Sequence, residues 1–196
     1  MLCARVDHLD ALLLTHEHMD HIVGMDDLRA FSFMHEPPTD VLVYSDVRTM
    51  QAVQRVFSYA FQPIRYPGIP RFDLRPIGLT PFEVAGVVVT PIQVMHLHLP
   101  VLGFRIGDIT YITAKTIAPA EKEKIKGSRI LVLNALRREP HISHLNLQEA
   151  LDLIEELAPE QAYLTHISHL MGHHAQLELP PNVALAYDGL SVGTSA

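Results

Sequence analysis

Residues 15–21 read Thr-His-Glu-His-Met-Asp-His, which puts three imidazoles and an aspartate into six consecutive positions, 16–21. Imidazole nitrogen and carboxylate oxygen without thiolate suit zinc, manganese or iron. In extended chain alternate side chains point the same way, so His16 and His18 can share one ion. Asp20 and His21 fall at the start of the following helix and turn toward a different point, so one loop can serve two metals. Three later histidines also follow short β-type runs: His96 after residues 92–95, His144 beyond residues 130–133, and His166 after residues 162–165. A single histidine in such a place is more often a satisfied loop residue than a ligand. Three of them beside the first cluster reverse that weighting. Of the others among the 13 histidines, His141 and His169 are candidates to support the ligands, whereas His173 and His174 read as solvent-facing.

The elements that must position these residues alternate along the chain. An apolar run at 10–15 ends in the histidine motif and reads as a buried strand. Met25, Leu28 and Phe31 give the spacing of a helix over 20–35, stopped by Pro37-Pro38. A strand over 41–44 precedes a helix capped by Ser45 or Asp46, with Met50, Val53, Val56 and Phe57 as its apolar face. Five prolines and glycines between 63 and 76 mark an irregular segment. Short strands are expected at 82–84, 87–90, 92–95, 101–106 and 109–113, with Gly107-Asp108 as a two-residue hairpin turn. Helices over 119–126 and 147–157 then alternate with strands at 130–133, 162–165 and 183–186. Asn146 and Glu149 stand in capping-box spacing before the second of these helices.

With 196 residues and 48% hydrophobic side chains, the chain can bury a sizeable core as one domain over 1–196. Its formal charge of -7 argues against a nucleic-acid backbone or an anionic membrane as a broad partner. The single cysteine, Cys3, excludes an internal disulfide framework. Arg5, Asp7 and Asp10 interrupt any leader-like apolar stretch, so a soluble, cytoplasmic protein is expected. The uncharged run over 84–104 is long enough for a membrane span. Pro91, Gln93, His96, His98 and Pro100 within it favour strands and turns instead.

The segment Thr15–His21 resembles the HxHxDH signature of the metallo-β-lactamase fold. Leu28-Arg29-Ala30-Phe31, Val94-Met95-His96, the run from Leu99 to Arg105, His141-Ile142-Ser143-His144, Thr165-His166-Ile167-Ser168-His169 and Ala186-Tyr187-Asp188-Gly189 are similar to one branch of that superfamily. That branch holds the phosphoribosyl cyclic phosphodiesterases and is a near relative of the tRNA 3′-processing nucleases. The resemblance implies an α/β fold, an αββα sandwich, here without its N-terminal strands. It implies two divalent ions, zinc or manganese: one on His16, His18 and His96, the other on Asp20, His21 and His166. A hydroxide held between the ions would attack phosphorus, with Asp20 and His144 as the catalytic residues and His144 protonating the leaving oxygen or steadying the phosphate charge. Arg29 and Arg105 are candidates to hold phosphate, or else to pair with carboxylates.

Two departures from the family pattern stand out. The histidine motif arrives at position 16, where the family has further strands before it. The first sheet is therefore expected to expose a strand edge, which favours aggregation or pairing with a second copy as a homodimer. The family also carries a metal-bridging aspartate in a Thr-Asp-Ala context, whereas residues 111–115 here read Tyr-Ile-Thr-Ala-Lys. Asp108 cannot replace it, lying at the opposite end of a strand of about five residues, roughly 16 Å away. Without that aspartate a two-metal site keeps one more positive charge, so weakened or single metal occupancy and reduced turnover are expected. The leading reading is a phosphodiesterase acting on a small, cyclic phosphodiester. The alternatives are a catalytically impaired metal-binding remnant and a tRNA-processing nuclease, which would want a basic surface that this chain lacks. A β-lactamase or thioester hydrolase on the same fold is the weakest.

Overall fold

The computed structural model describes residues 6–34, 36–64 and 66–193. Cys3 and Arg5 lie outside that range, as does position 35, the last of the helix expected over 20–35. The chain forms two compact units, residues 1–80 and 81–196.

The first unit is built on a parallel sheet of three strands in the order β1 (Leu12–Leu13), β2 (Val41–Ser45) and β3 (Phe72–Pro76). Alternation of buried and half-buried residues along Val41-Leu42-Val43-Tyr44-Ser45 is what a strand covered unequally on its two faces requires. Helix α3 (Val47–Val56) follows directly, its first turn capped by Asp46, whose carboxylate accepts the Thr49 N–H at 2.7 Å. Its Met50 and Val53 join Leu14, Ile22, Val43, Phe57 and Phe72 in one apolar core. The expected helix over 20–35 is instead a short α1 (Met19–Ile22), a 3-10 stretch (Val23–Leu28) and a short α2 (Arg29–Ser32). The buried residues Ile22, Met25, Leu28 and Phe31 recur every three positions. That is the period of a 3-10 helix rather than of an α-helix, and it accounts for the break. The segment expected to be irregular contains β3, because Phe72 and Leu74 can still pair in register with Val41 and Val43 between Pro70 and Pro76.

The second unit carries an eight-stranded mixed sheet. Its path runs β11 (Val183–Leu185), β10 (Gln161–Thr165), β9 (Ile130–Asn134), β7 (Ile109–Ile112), β6 (Leu99–Ile106), β5 (Val87–His96) and β4 (Phe82–Val84), with β8 (Thr116–Ile117) pairing β5. From β7 to β11 the strands are parallel, and from β4 to β7 antiparallel. The expected pair of strands at 87–90 and 92–95 is one strand that runs through Pro91. On the flank away from β6, β4 ends its pairing at Val89 and β8 begins at Val94, so Pro91 meets no ladder partner there. In β6, Gly103 lets β7 approach closely: a Cβ at this position would lie 2.4 Å from Ile112 Cδ1 and 2.9 Å from the Tyr111 carbonyl oxygen. Helices α4 (Pro119–Ile125) and α5 (Leu147–Leu157) pack onto the core formed by Ile92, Ile112, Leu131, Leu133 and Leu164. The capping box of α5 is present as the sequence indicated: Asn146 Oδ1 accepts the Glu149 N–H at 2.8 Å, and Glu149 Oε2 accepts the Asn146 N–H at 2.9 Å. Among the described residues no helix is long and apolar enough to cross a membrane. The uncharged run over 84–104 is largely the β5–β6 hairpin.

Strand polarity places the candidate residues. In the second unit the turn at 97–98 and the segments leaving β7, β9 and β10 all emerge at one edge of the sheet. The turns at Ala85-Gly86 and Gly107-Asp108 lie at the opposite edge, and each of these four residues except Asp108 has positive φ.

Candidate metal centre

In the first unit the histidine motif departs from the end of β1. The Leu14 N–H bonds the Tyr44 carbonyl at 3.0 Å and the Ser45 hydroxyl donates to the Leu14 carbonyl at 2.8 Å, so β2 holds the strand end from which the motif leaves. His16 is buried, with 1% of its surface exposed, and its Nδ1 lies 2.9 Å from Thr15 Oγ1. In the tautomer that donates from Nδ1 to Thr15, Nε2 presents its lone pair, the arrangement by which a neighbouring hydrogen bond orients a metal-binding histidine. That Nε2 faces His18 Nδ1 at 3.1 Å. The His16 and His21 rings lie 4.1 Å apart, and His21 Nε2 is 3.3 Å from Asp20 Oδ2. Glu17 points elsewhere: its carboxylate pairs with Arg48 on α3 at 3.2 Å and tethers the motif to that helix. The four residues predicted as ligands within this motif are thus gathered, and Glu17 anchors them.

The second unit gathers the other three. His96 is the last residue of β5, His166 follows β10, and His144 lies on the segment between β9 and α5. His144 Nε2 is 3.2 Å from His96 Nε2, and its ring stacks on that of His166 at 4.8 Å with an 18° angle between planes. The other side of the His144 ring is held, because Nδ1 lies 3.0 Å from Ser143 Oγ and 3.3 Å from His141 Nδ1. His141, expected as a supporting residue, therefore touches His144 and receives the Ser143 N–H at 3.3 Å. His166 has φ of 56°, a left-handed conformation that is costly for a side-chain-bearing residue and is found preferentially where function over-determines the backbone.

The His16 and His18 ring nitrogens, 3.1 Å apart with no carboxylate between them, suit a divalent cation, which replaces one shared proton with two lone-pair bonds. His/Asp groups of the kind that hold a metal ion occur among the described residues. The donor set therefore fits a metal, and its lack of thiolate agrees with the ligand chemistry read from the sequence.

Other expected residues lie as follows. Arg105 donates to four backbone carbonyls, those of Gly107, Lys124, Lys126 and Gly127, at 2.7–3.2 Å, and so closes the C-terminal end of α4. Arg29 pairs with Asp26 at 3.4 Å, and Asp26 also accepts the Tyr59 hydroxyl. Past β7, Thr113 and Ala114 are fully buried, so a methyl group stands at the strand end where the family has its aspartate. Asp108 is paired with Arg129 at 2.7 Å at the other edge of the sheet. Lys115 and the Glu17–Arg48 pair have no role legible in the sequence, because their partners lie far away along the chain.

Residues 2–167 match the family model described as Beta-lactamase superfamily domain, and the chain belongs to that superfamily. It is similar to a diphosphatase from the PhnP family, with 31% identity and a TM-score of 0.87, covering 99% of this chain and 75% of that one. Human short-form tRNase Z shares the fold at 17% identity and a TM-score of 0.65, with 94% and 78% covered. A protein of Porphyromonas gingivalis named octanoyltransferase is 39% identical over 194 residues. Those residues are 96% of this chain, which spans only 39% of that relative's length. The chain has the metallo-β-lactamase fold, as the resemblance of its motifs indicated.

Proposed function

We propose that this protein is a metal-dependent phosphodiesterase acting on a small, cyclic phosphodiester. The ligand sets are carried as part of that proposal: His16, His18 and His96 for one ion, Asp20, His21 and His166 for the other, with one site retained more weakly or not at all. Bound divalent ions supply Lewis-acid polarisation of the phosphoryl group and an acidified water at neutral pH. Asp20 brings the only carboxylate among the six ligands and lowers the charge the site must carry.

The observation that carries the reading is the setting of His144. It is not in either ligand set, yet its Nε2 lies 3.2 Å from a ligand nitrogen and its ring stacks on a second ligand. Ser143 Oγ fixes its Nδ1 side, leaving Nε2 to hold the proton that the leaving oxygen needs. Arg29, with an exposed guanidinium paired only loosely with Asp26, is the better of the two arginines to reach phosphate. A small phosphodiester is the partner, and the net charge of -7 speaks against RNA. One specific observation favours a second substrate, a diphosphate: the similarity to the PhnP-family diphosphatase.

The test is hydrolysis of a cyclic phosphodiester, a dinucleoside diphosphate and a tRNA precursor by the manganese- or zinc-loaded protein, beside His144→Ala. The cyclic phosphodiester is expected to turn over fastest, with a loss of roughly 10²- to 10⁴-fold on removing His144. Preferential cleavage of the diphosphate moves the assignment to the second substrate. Equal rates for both proteins, with metal bound, overturn the enzyme reading in favour of a metal-binding remnant.

A further inference from the structure

Lys115 lies three residues beyond the end of β7, directly after the buried Ala114. Its backbone N–H bonds the Met95 carbonyl at 3.2 Å, which fixes it beside the end of β5. Its ammonium reaches the segment that carries His144 at two places. It donates to the His141 carbonyl, and it pairs with Glu149 Oε1 at 3.0 Å. Glu149 is in turn the closing residue of the α5 capping box, through Asn146. One side chain from the sheet therefore grips the residue three before His144 and, through Glu149, the residue two after it.

The rest of the segment is secured at its base and through Arg138, whose Nε donates to the Met171 carbonyl at 3.0 Å, while the Ser168 N–H bonds the Leu136 carbonyl at 2.9 Å. The Leu136 N–H bonds the Leu145 carbonyl and the Leu147 N–H bonds the Arg137 carbonyl, each at 2.9 Å, closing the base of the loop. Arg137 takes the Glu139 and Pro140 carbonyls at its tip. These bonds shape the loop but do not tie its tip to the sheet, whereas Lys115 does. From the held residue the connection to the imidazole is short: His141 Nδ1 receives the Ser143 N–H, and Ser143 Oγ holds His144 Nδ1 at 3.0 Å.

We propose that Lys115 is a positioning residue for His144, acting through the His141 carbonyl and the Glu149 cap. The proposal rests on the role given to His144 above. Lys115 and Glu149 are both partly exposed, at 24% and 36%, so their pairing contributes little to stability. They border a cleft of about 390 Å³, also lined by Lys122 and Glu156, in which water can hydrate either group if its partner is removed. The consequence of losing Lys115 is thus displacement of the loop rather than unfolding, and small displacements of an acid–base group are costly to the rate.

The experiment uses the full chain with Lys115→Met and Lys115→Arg, each in the wild-type and His144→Ala backgrounds, and Glu149→Gln as a second way to release the ammonium. Readouts are kcat and KM for a chromogenic phosphodiester with manganese, and the ring ¹⁵N shifts of His144 in the metal-free protein. Lys115→Met is expected to lower kcat roughly 10- to 100-fold with little change in KM, and Lys115→Arg to restore most of it. In the His144→Ala background Lys115→Met should have no further effect. The His144 shifts should move in Lys115→Met and Glu149→Gln but not in Lys115→Arg. Unchanged shifts, or an equal loss of kcat without His144, overturn the proposal. If the wild-type protein hydrolyses no phosphodiester, the functional reading fails while the shifts still decide the positioning role.

Discussion

Tyr59 and Asp26 couple the short helical segment after the histidine motif to the 3-10 turn at Ser58–Phe61. Burial pushes the Tyr59 phenol up to about 12, helped by its hydrogen bond to Asp26 and the charge there, while Arg29 acts in the opposite direction. Because the folded value lies above the ordinary 10.0, the neutral phenol stabilises the fold fully below pH 10, and that contribution is lost between pH 10 and 12. Tyr59→Phe is expected to cost about 1 kcal/mol at pH 7 and to flatten stability over that alkaline window. Urea unfolding of both proteins at pH 8 and pH 11 checks this, and parallel losses in the two would refute it. At this scale the sequence was legible where the chemistry is local. The candidate ligands from His16 to His21 are neighbours along the chain, and His141 stands near His144. Arg105 and Lys115 were not legible, since all their partners but the Gly107 carbonyl are backbone carbonyls or a glutamate 19 to 34 positions away.

Strands and helices followed from pattern where the pattern was regular. Helix α5 and its cap, α3 and its Asp46 cap, and the Gly107-Asp108 turn lie where spacing put them. The misreadings come from elements whose local signals oppose their tertiary pairing: β3 between prolines, β5 through Pro91, and a three-residue repeat taken for α-helix. Gly103 belongs to the same class, because nothing near it in sequence shows that Ile112 packs against its bare backbone. Gly103→Ala should destabilise the protein by about 1–3 kcal/mol through overpacking, measured as a lower midpoint in urea. An unchanged midpoint would mean that β6 and β7 separate without cost.

At the scale of the whole molecule, the proposed metal sites couple binding to stability. A ligand that binds only the folded chain stabilises it in proportion to its occupancy, about 2.7 kcal/mol at 100 times Kd. Manganese or zinc is therefore expected to raise the Tm and a chelator to reverse it. After dialysis without added metal, fewer than two ions per chain should remain, since Ala114 stands where an acidic bridge would be. Two tightly held ions by elemental analysis would show that three ligands apiece suffice.

The strand polarity of the second unit has a practical corollary for anyone labelling or fusing the protein. His96 closes β5, whereas the Ala85-Gly86 turn sits a full strand away, about 30 Å at the rise of ten extended residues. That turn is the natural insertion point for a fluorophore, an affinity handle or a new terminus, whereas Gly107-Asp108 is held by Arg105 and Arg129. A reporter placed there would report on the protein without entering the chemistry it is meant to observe.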